Sequence, residues 1–175
     1  MARNVEIKAR IPDIAAAHSL VAALADRGPV SLSQIDTFFH VPSGRLKLRE
    51  FSDRPAELIY YRRPDTPGPA ASEWTRISVP DGPALRELLT AALGVRGEVS
   101  KRRLVFSVGR TRVHLDEVRD LGAFLELEVV LEEGEPVGAG VQETHRLLGL
   151  LGVPADALVP EAYIDLLERR GGRGR

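Results

Sequence analysis

Five short stretches alternate charged with mainly aliphatic residues at a period of two: Asn4–Lys8, Arg45–Arg49, Lys101–Val105, His114–Asp116 and Leu125–Val129. Successive side chains of a β-strand point to opposite faces, so each run gathers ionisable groups on one side and mostly apolar groups on the other. The acids on such faces are Glu6, Asp36, Asp116, Glu126 and Glu128. The bases are Lys8, Arg10, Arg45, Lys47, Arg49, Arg62, Arg76, Lys101 and Arg103, with His114 beside them. Unpaired ions are too costly for a dry core, so these faces must line water, a ligand or a metal. The middle strands are basic, whereas the first and the last two supply most carboxylates. One wall therefore suits an anion and the other a cation. Hard oxygen ligands suit Mg²⁺ or Mn²⁺, and a mixed Lys/Arg cradle of this size suits several linked phosphates rather than one. Phosphoryl transfer asks a protein mainly for cations on phosphate oxygens, a metal and an in-line nucleophile. In any single strand a solvated sheet face explains the alternation equally well. It does not explain why the charges sort by sign from strand to strand.

The elements that must carry these residues are legible from turn and capping signals. A strand is expected at Val5–Ile11, then a helix capped by Asp13 and running to about Asp26, with Gly28-Pro29 as its stop. Further strands are expected at Gln34–Val41, Arg45–Phe51, Leu58–Arg63, Trp74–Val79, Glu98–Val108, Thr111–Val118 and Phe124–Leu131. Helices are expected at Pro83–Leu93, Val141–Leu151 and Glu161–Arg169. Gly109-Arg110 reads as a hairpin turn, not as a phosphate loop, because no helix follows it. The expected fold class is α+β: a mainly antiparallel eight-stranded β-barrel or tunnel with a charged lumen, its aliphatic outer faces covered by helices. One domain over 1–170 is expected, with 171–175 as a disordered basic tail.

Composition narrows the partners. A net charge of −1 across 175 residues gives no global attraction to nucleic acid or to an anionic membrane. With no cysteine, disulfides, thiolate nucleophiles and Cys-ligated zinc are excluded. The charged start and the absence of a long apolar run lead us to expect neither export nor a membrane span, hence a cytoplasmic protein. His114 reads either as a general base or as a hydrogen-bonded wall residue. Tyr60, Tyr61 and Trp74 read either as stacking groups or as packing.

The ordered set Asn4-Val5-Glu6-Ile7-Lys8, Gln34–Phe39, Arg45–Arg49, Lys101-Arg102-Arg103, His114–Val118, Phe124–Glu128 and Ala162–Leu167 resembles the CYTH superfamily of triphosphate tunnel enzymes, nearest its class IV adenylyl cyclase-like branch. The resemblance implies an eight-stranded tunnel, a Mg²⁺ or Mn²⁺ requirement, and hydrolysis of inorganic or thiamine triphosphate or cyclisation of ATP. By position, Glu6, Asp116, Glu126 and Glu128 match the metal-binding acids. Lys8, Lys47, Arg49, Arg62, Lys101 and Arg103 match the phosphate-binding bases, Arg76 matches less closely, and Arg63 replaces Arg62 if the register slips by one. Lys8, Asp116, Glu126 and Glu128 are the expected catalytic residues. The expected partner is a small triphosphate or nucleotide and not a nucleic-acid polymer, the protein being a monomer or homodimer. One departure stands out: the family pattern Glu-x-Glu-x-Lys begins here with Asn4, which brings an oxygen donor but no charge and no base. That substitution is either harmless or the mark of impaired metal binding, and the alternative to an enzyme is a non-catalytic triphosphate binder.

Overall fold

The computed structural model describes residues 1–172. In chain order it contains β1 (Ala2–Arg10), α1 (Ile14–Leu24), β2 (Arg27–Phe39), β3 (Arg45–Phe51), β4 (Ala56–Arg62), β5 (Ala70–Val79), α2 (Gly82–Leu93), β6 (Val95–Val108), β7 (Thr111–Val118), β8 (Gly122–Val130), α3 (Val137–Leu150) and α4 (Tyr163–Gly172). The strands close into a barrel in the order β1-β5-β4-β3-β2-β6-β7-β8, and every neighbouring pair is antiparallel. Closure leaves no unpaired sheet edge and fixes which face of each strand looks inward. The expected fold class is the one observed. Among the described residues, no helix is long and apolar enough to cross a membrane.

The apolar faces are on the outside of the barrel, under the helices. Ile7, Phe106, Val113, Leu115, Leu125 and Leu127 pack with Val21 of α1 and Leu147 and Leu148 of α3. Phe39, Leu48, Ala56 and Val79 pack with Leu85 and Leu89 of α2. Each helix starts where its local chemistry allows. The Asp13 carboxylate accepts from the Ala15 and Ala16 amides, and Asp81 caps α2 through the Ala84 amide. α3 begins four residues earlier than the sequence suggests, at Val137, despite Gly138 and Gly140. Gly140 is there because a Cβ would come within 2.6 Å of Val5 Cγ2, so its absence lets helix and barrel approach closely.

Two further features depart from local propensity. β2 begins at Arg27 and not near Gln34, running through the Gly28-Pro29 pair, beyond the end of α1 at Leu24. The register jumps from Arg27↔Ser107 to Val30↔Val105, so both residues sit in a bulge where Pro29 needs no ladder hydrogen bond. Gly28 adopts φ 108°, and a Cβ there would meet the Val105 carbonyl at 2.6 Å. At one end of the barrel, Ala162, Tyr163 and Ile164 join Phe38, Val99, Val118 and Phe124 in an apolar cluster. α4 thus begins by covering that end, and it extends through Gly172, two residues into the expected tail. The rest of that tail, 173–175, lies outside the described residues.

Candidate active site

Inward-facing side chains from all eight strands line one cavity of about 310 Å³, a size within the lower range of small-molecule sites. Its basic wall is built on Asp36, which is 1% exposed. Lys47 Nζ lies 2.9 Å from Asp36 Oδ2, Arg49 donates through Nε at 2.7 Å and Nη2 at 2.8 Å, and Lys101 Nζ lies at 3.3 Å. Burial alone would raise the Asp36 carboxyl, but Arg49, Lys101 and Lys47 hold it well below the usual carboxylate range. One carboxylate on β2 thus pins three cations from two strands, β3 and β6, and leaves an excess of positive charge facing the lumen. Burial pushes Lys101 down to about 7, with Arg103 and Arg49 adding repulsion against the pull of Asp36. Burial likewise lowers Lys8 to about 8, although Glu126 pulls it the other way. Lys8 Nζ donates to the Glu161 carbonyl at 2.8 Å and sits 4.1 Å from the centre of the Tyr163 ring.

Arg103 forms a two-pronged pair with Asp116, both contacts at 2.6 Å, and reaches Glu126 Oε1 at 3.3 Å. Asp116 also accepts from Tyr163 Oη at 2.8 Å. It is fully buried and does not line the cavity. Asp116, expected to hold metal, is thus placed with both carboxylate oxygens on Arg103, which it orients.

Across the lumen, ligand atoms of His114, Glu126 and Glu128 lie within 4.8 Å of one another. His114 Nδ1 is 3.3 Å from Glu126 Oε1, and Glu128 Oε2 is 2.9 Å from Arg112 Nη2. Burial would raise the Glu126 carboxyl, but Arg103, His114 and Lys8 hold it well below its ordinary value. Glu6 faces the same lumen but pairs with Arg63 at 2.9 Å. Burial raises its carboxyl to about 7, opposed by Arg63 and reinforced by Glu126 and Glu128. Asn4 is 3% exposed, lines the cavity, and its Oδ1 has no hydrogen-bond partner among the described residues. Carboxylates that repel one another, beside an unsatisfied neutral oxygen and an imidazole, fit a divalent cation.

The remaining expected bases divide. Arg76 stands at the rim, 45% exposed at its side chain, 3.2 Å from Glu57 and 5.5 Å over Trp74. Arg62 is on the outer surface, its Nε 2.9 Å from Tyr60 Oη, and Arg63 is the lumen residue in its place. In Ile59-Tyr60-Tyr61-Arg62-Arg63 the two tyrosines and two arginines make either parity plausible from sequence, and Ile59 and Tyr61 are the ones that face inward. Arg45 is withdrawn onto Asp65 and Asp165, and Arg10 packs on Phe124. Several lumen residues carry no assignment from sequence, Arg112 and Tyr163 among them. Arg112 shares the strand parity of His114 and was findable on that ground, whereas Tyr163 enters from a helix and carried no strand signal.

The family model described as "CYTH domain" matches residues 2–163. No curated protein matches this sequence. Among solved structures, the PH1012 protein from Pyrococcus horikoshii OT3 superposes with a TM-score of 0.84 at 22% identity, covering 93% of this chain and 98% of that one. A candidate adenylate cyclase from Vibrio parahaemolyticus gives a TM-score of 0.78 at 16% identity, with 94% and 97% covered. HpAC1 from Hippeastrum, a candidate adenylyl cyclase described as revealing a dominant triphosphatase activity, gives 0.65 at 18% identity, with 97% and 96% covered.

Proposed function

The chain belongs to the CYTH family, and on that premise we propose that it is a divalent-metal-dependent enzyme that holds a triphosphate in its tunnel and cleaves a phosphoanhydride bond. The observation that carries this reading is the pinning of Lys47, Arg49 and Lys101 on buried Asp36, facing His114, Glu126 and Glu128 across one lumen. The proposed substrate is a small triphosphate or nucleotide and the proposed setting the cytoplasm. Lys47, Arg49 and Lys101 bind phosphate oxygens, and Arg103, fixed by Asp116, directs its guanidinium to the developing charge without reorganising. Glu126 and Glu128, with Glu6 beside them, face the Mg²⁺ or Mn²⁺ that supplies charge neutralisation at the phosphates when bound. Water attacking the terminal phosphorus makes a triphosphatase. A ribose 3′-hydroxyl attacking the α-phosphorus makes a cyclase. Hydrolysis asks less of substrate placement, so it is the reading we favour. Incubation with ATP, tripolyphosphate and thiamine triphosphate, with and without Mg²⁺ or Mn²⁺, tests it by product separation. Metal-dependent orthophosphate or pyrophosphate is expected; binding without any product under either metal would instead establish the non-catalytic binder that Asn4 leaves open.

Two further outcomes follow from the geometry. Arg62→Ala should leave tripolyphosphate affinity within about twofold, because its side chain is outside, while Arg63→Ala should weaken it about tenfold or more, the scale of one charge-assisted hydrogen bond. Equal losses from the two variants, measured by calorimetry, would contradict the strand parity. Metal-free tripolyphosphate should also bind with proton uptake at pH 8. There Lys101, lowered to about 7, is mostly neutral in the free protein, and an adjacent anion favours its charged form. Affinity should then fall as pH rises above 7. Titration in two buffers of different ionisation heat reads the proton count, and Lys101→Met should reduce it; net proton release would count against this role for Lys101.

A further inference from the structure

We infer that His114 is itself a ligand of the divalent ion, which is held by one imidazole and two carboxylates, and that this nitrogen makes the site prefer Co²⁺ and Mn²⁺ to Mg²⁺. The inference rests on the metal-dependent reading above and adds the identity of the ligands and the choice of ion. His114 and Glu126 stand directly opposite each other on β7 and β8, with Glu128 two residues along. Their ligand atoms already lie within 4.8 Å of one another.

The other carboxylates of the barrel interior are differently placed. Both oxygens of Asp36 and of Asp116 are bonded to cations, one of the latter also to Tyr163, whereas Glu6 pairs with Arg63 through Oε1 and stands outside the cluster of His114, Glu126 and Glu128. Among the described residues, Glu126 and Glu128 each meet an arginine through one oxygen only, Oε1 on Arg103 and Oε2 on Arg112, and each keeps a second oxygen without a hydrogen bond. His114 is 4% exposed, and its contact with Glu126 at 3.3 Å is long for a hydrogen bond. An independent sign of a ligand is Asn4, on β1 beside β8 and diagonal to Glu128, whose buried Oδ1 has no partner among the described residues. A buried amide oxygen left unsatisfied costs free energy unless a ligand meets it.

Donor chemistry then sets the selection. Mg²⁺ favours all-oxygen, octahedral surroundings and gives up water reluctantly. Imidazole favours later first-row ions, whose affinities rise from Mn²⁺ through Co²⁺. A site holding one nitrogen should therefore discriminate against Mg²⁺ more than an all-carboxylate site would.

The test uses the whole protein and the metal alone. Mn²⁺ bound to wild type should show nitrogen modulation in pulsed electron paramagnetic resonance, and labelling with ¹⁵N-histidine should change its frequencies. The chain has four histidines, and His114 alone among them lines the lumen. In His114→Gln the modulation should vanish and the ratio of Co²⁺ to Mg²⁺ affinity should fall about tenfold or more. Mn²⁺ that binds without histidine modulation would overturn the inference while leaving metal dependence intact. Failure of wild type to bind Mn²⁺ at about millimolar concentration would overturn both, since a metalloenzyme site must load below the upper range of divalent affinities. The labelling arm needs no variant and decides the matter even if His114→Gln folds poorly.

Discussion

Glu126→Gln should lower metal-dependent triphosphate cleavage about 10²- to 10³-fold, the cost of removing one preorganised electrostatic group from a reacting centre. Glu128→Gln added to it should abolish turnover. The substitution keeps size and shape and removes only charge. Arg103 loses one contact at 3.3 Å but keeps both contacts with Asp116 at 2.6 Å, so the fold has no reason to fail. Circular dichroism and the denaturant midpoint should stay near wild type while the rate collapses. An active double variant would remove both glutamates from the chemistry and leave the cation wall as a binding device alone.

Arg103→Met should destabilise the protein by about 3–5 kcal/mol, because it strands Asp116 in a dry environment with Tyr163 as its remaining partner. The pH dependence supplies the diagnostic. In wild type, burial would raise the Asp116 carboxyl but Arg103 lowers it below 3.8, so its contribution to stability is present above the unfolded pKa and is lost as pH falls. Without Arg103, burial raises the carboxyl instead, and the folded state then favours the protonated acid. The gap in midpoint between variant and wild type should therefore widen from pH 4 to pH 8. Addition of Asp116→Asn should recover part of the loss, as removal of both charges costs less than removal of one. A gap independent of pH would mean that the buried charge is not the cause.

What the sequence made legible was parity. Leu46 and Leu48 against Lys47 and Arg49, and Leu125 and Leu127 against Glu126 and Glu128, state which face is wet because one residue in two is apolar. Where that contrast fails, so does the reading. Tyr60-Tyr61 and Arg62-Arg63 carry no alternation, and the choice between the arginines is settled only by the closure of the barrel. The partner of Asp116 was hidden for a different reason. The type and strand position of Asp116 match a metal-binding acid, but whether a carboxylate faces an ion or an arginine depends on the residue across the ladder, here Arg103. Asp36 was visible as an acid among bases, yet its function as the post for three cations needs three strands in register. Gly28-Pro29 follows the end of α1, as expected of a helix stop, but the early start of β2 across the pair was not legible, because it depends on a bulge formed against β6.

The central claim is that cations and carboxylates drawn from distant strands enclose one triphosphate. A crystal structure of the protein with Mn²⁺ and a non-hydrolysable triphosphate analogue tests it most directly. Phosphate oxygens should lie within about 2.7–3.1 Å of Lys47, Arg49, Lys101 or Arg103 inside the lumen, the range of charge-assisted contacts. An analogue that saturates the protein in solution yet binds on the outer surface, leaving those four side chains on Asp36 and Asp116 untouched, would contradict it.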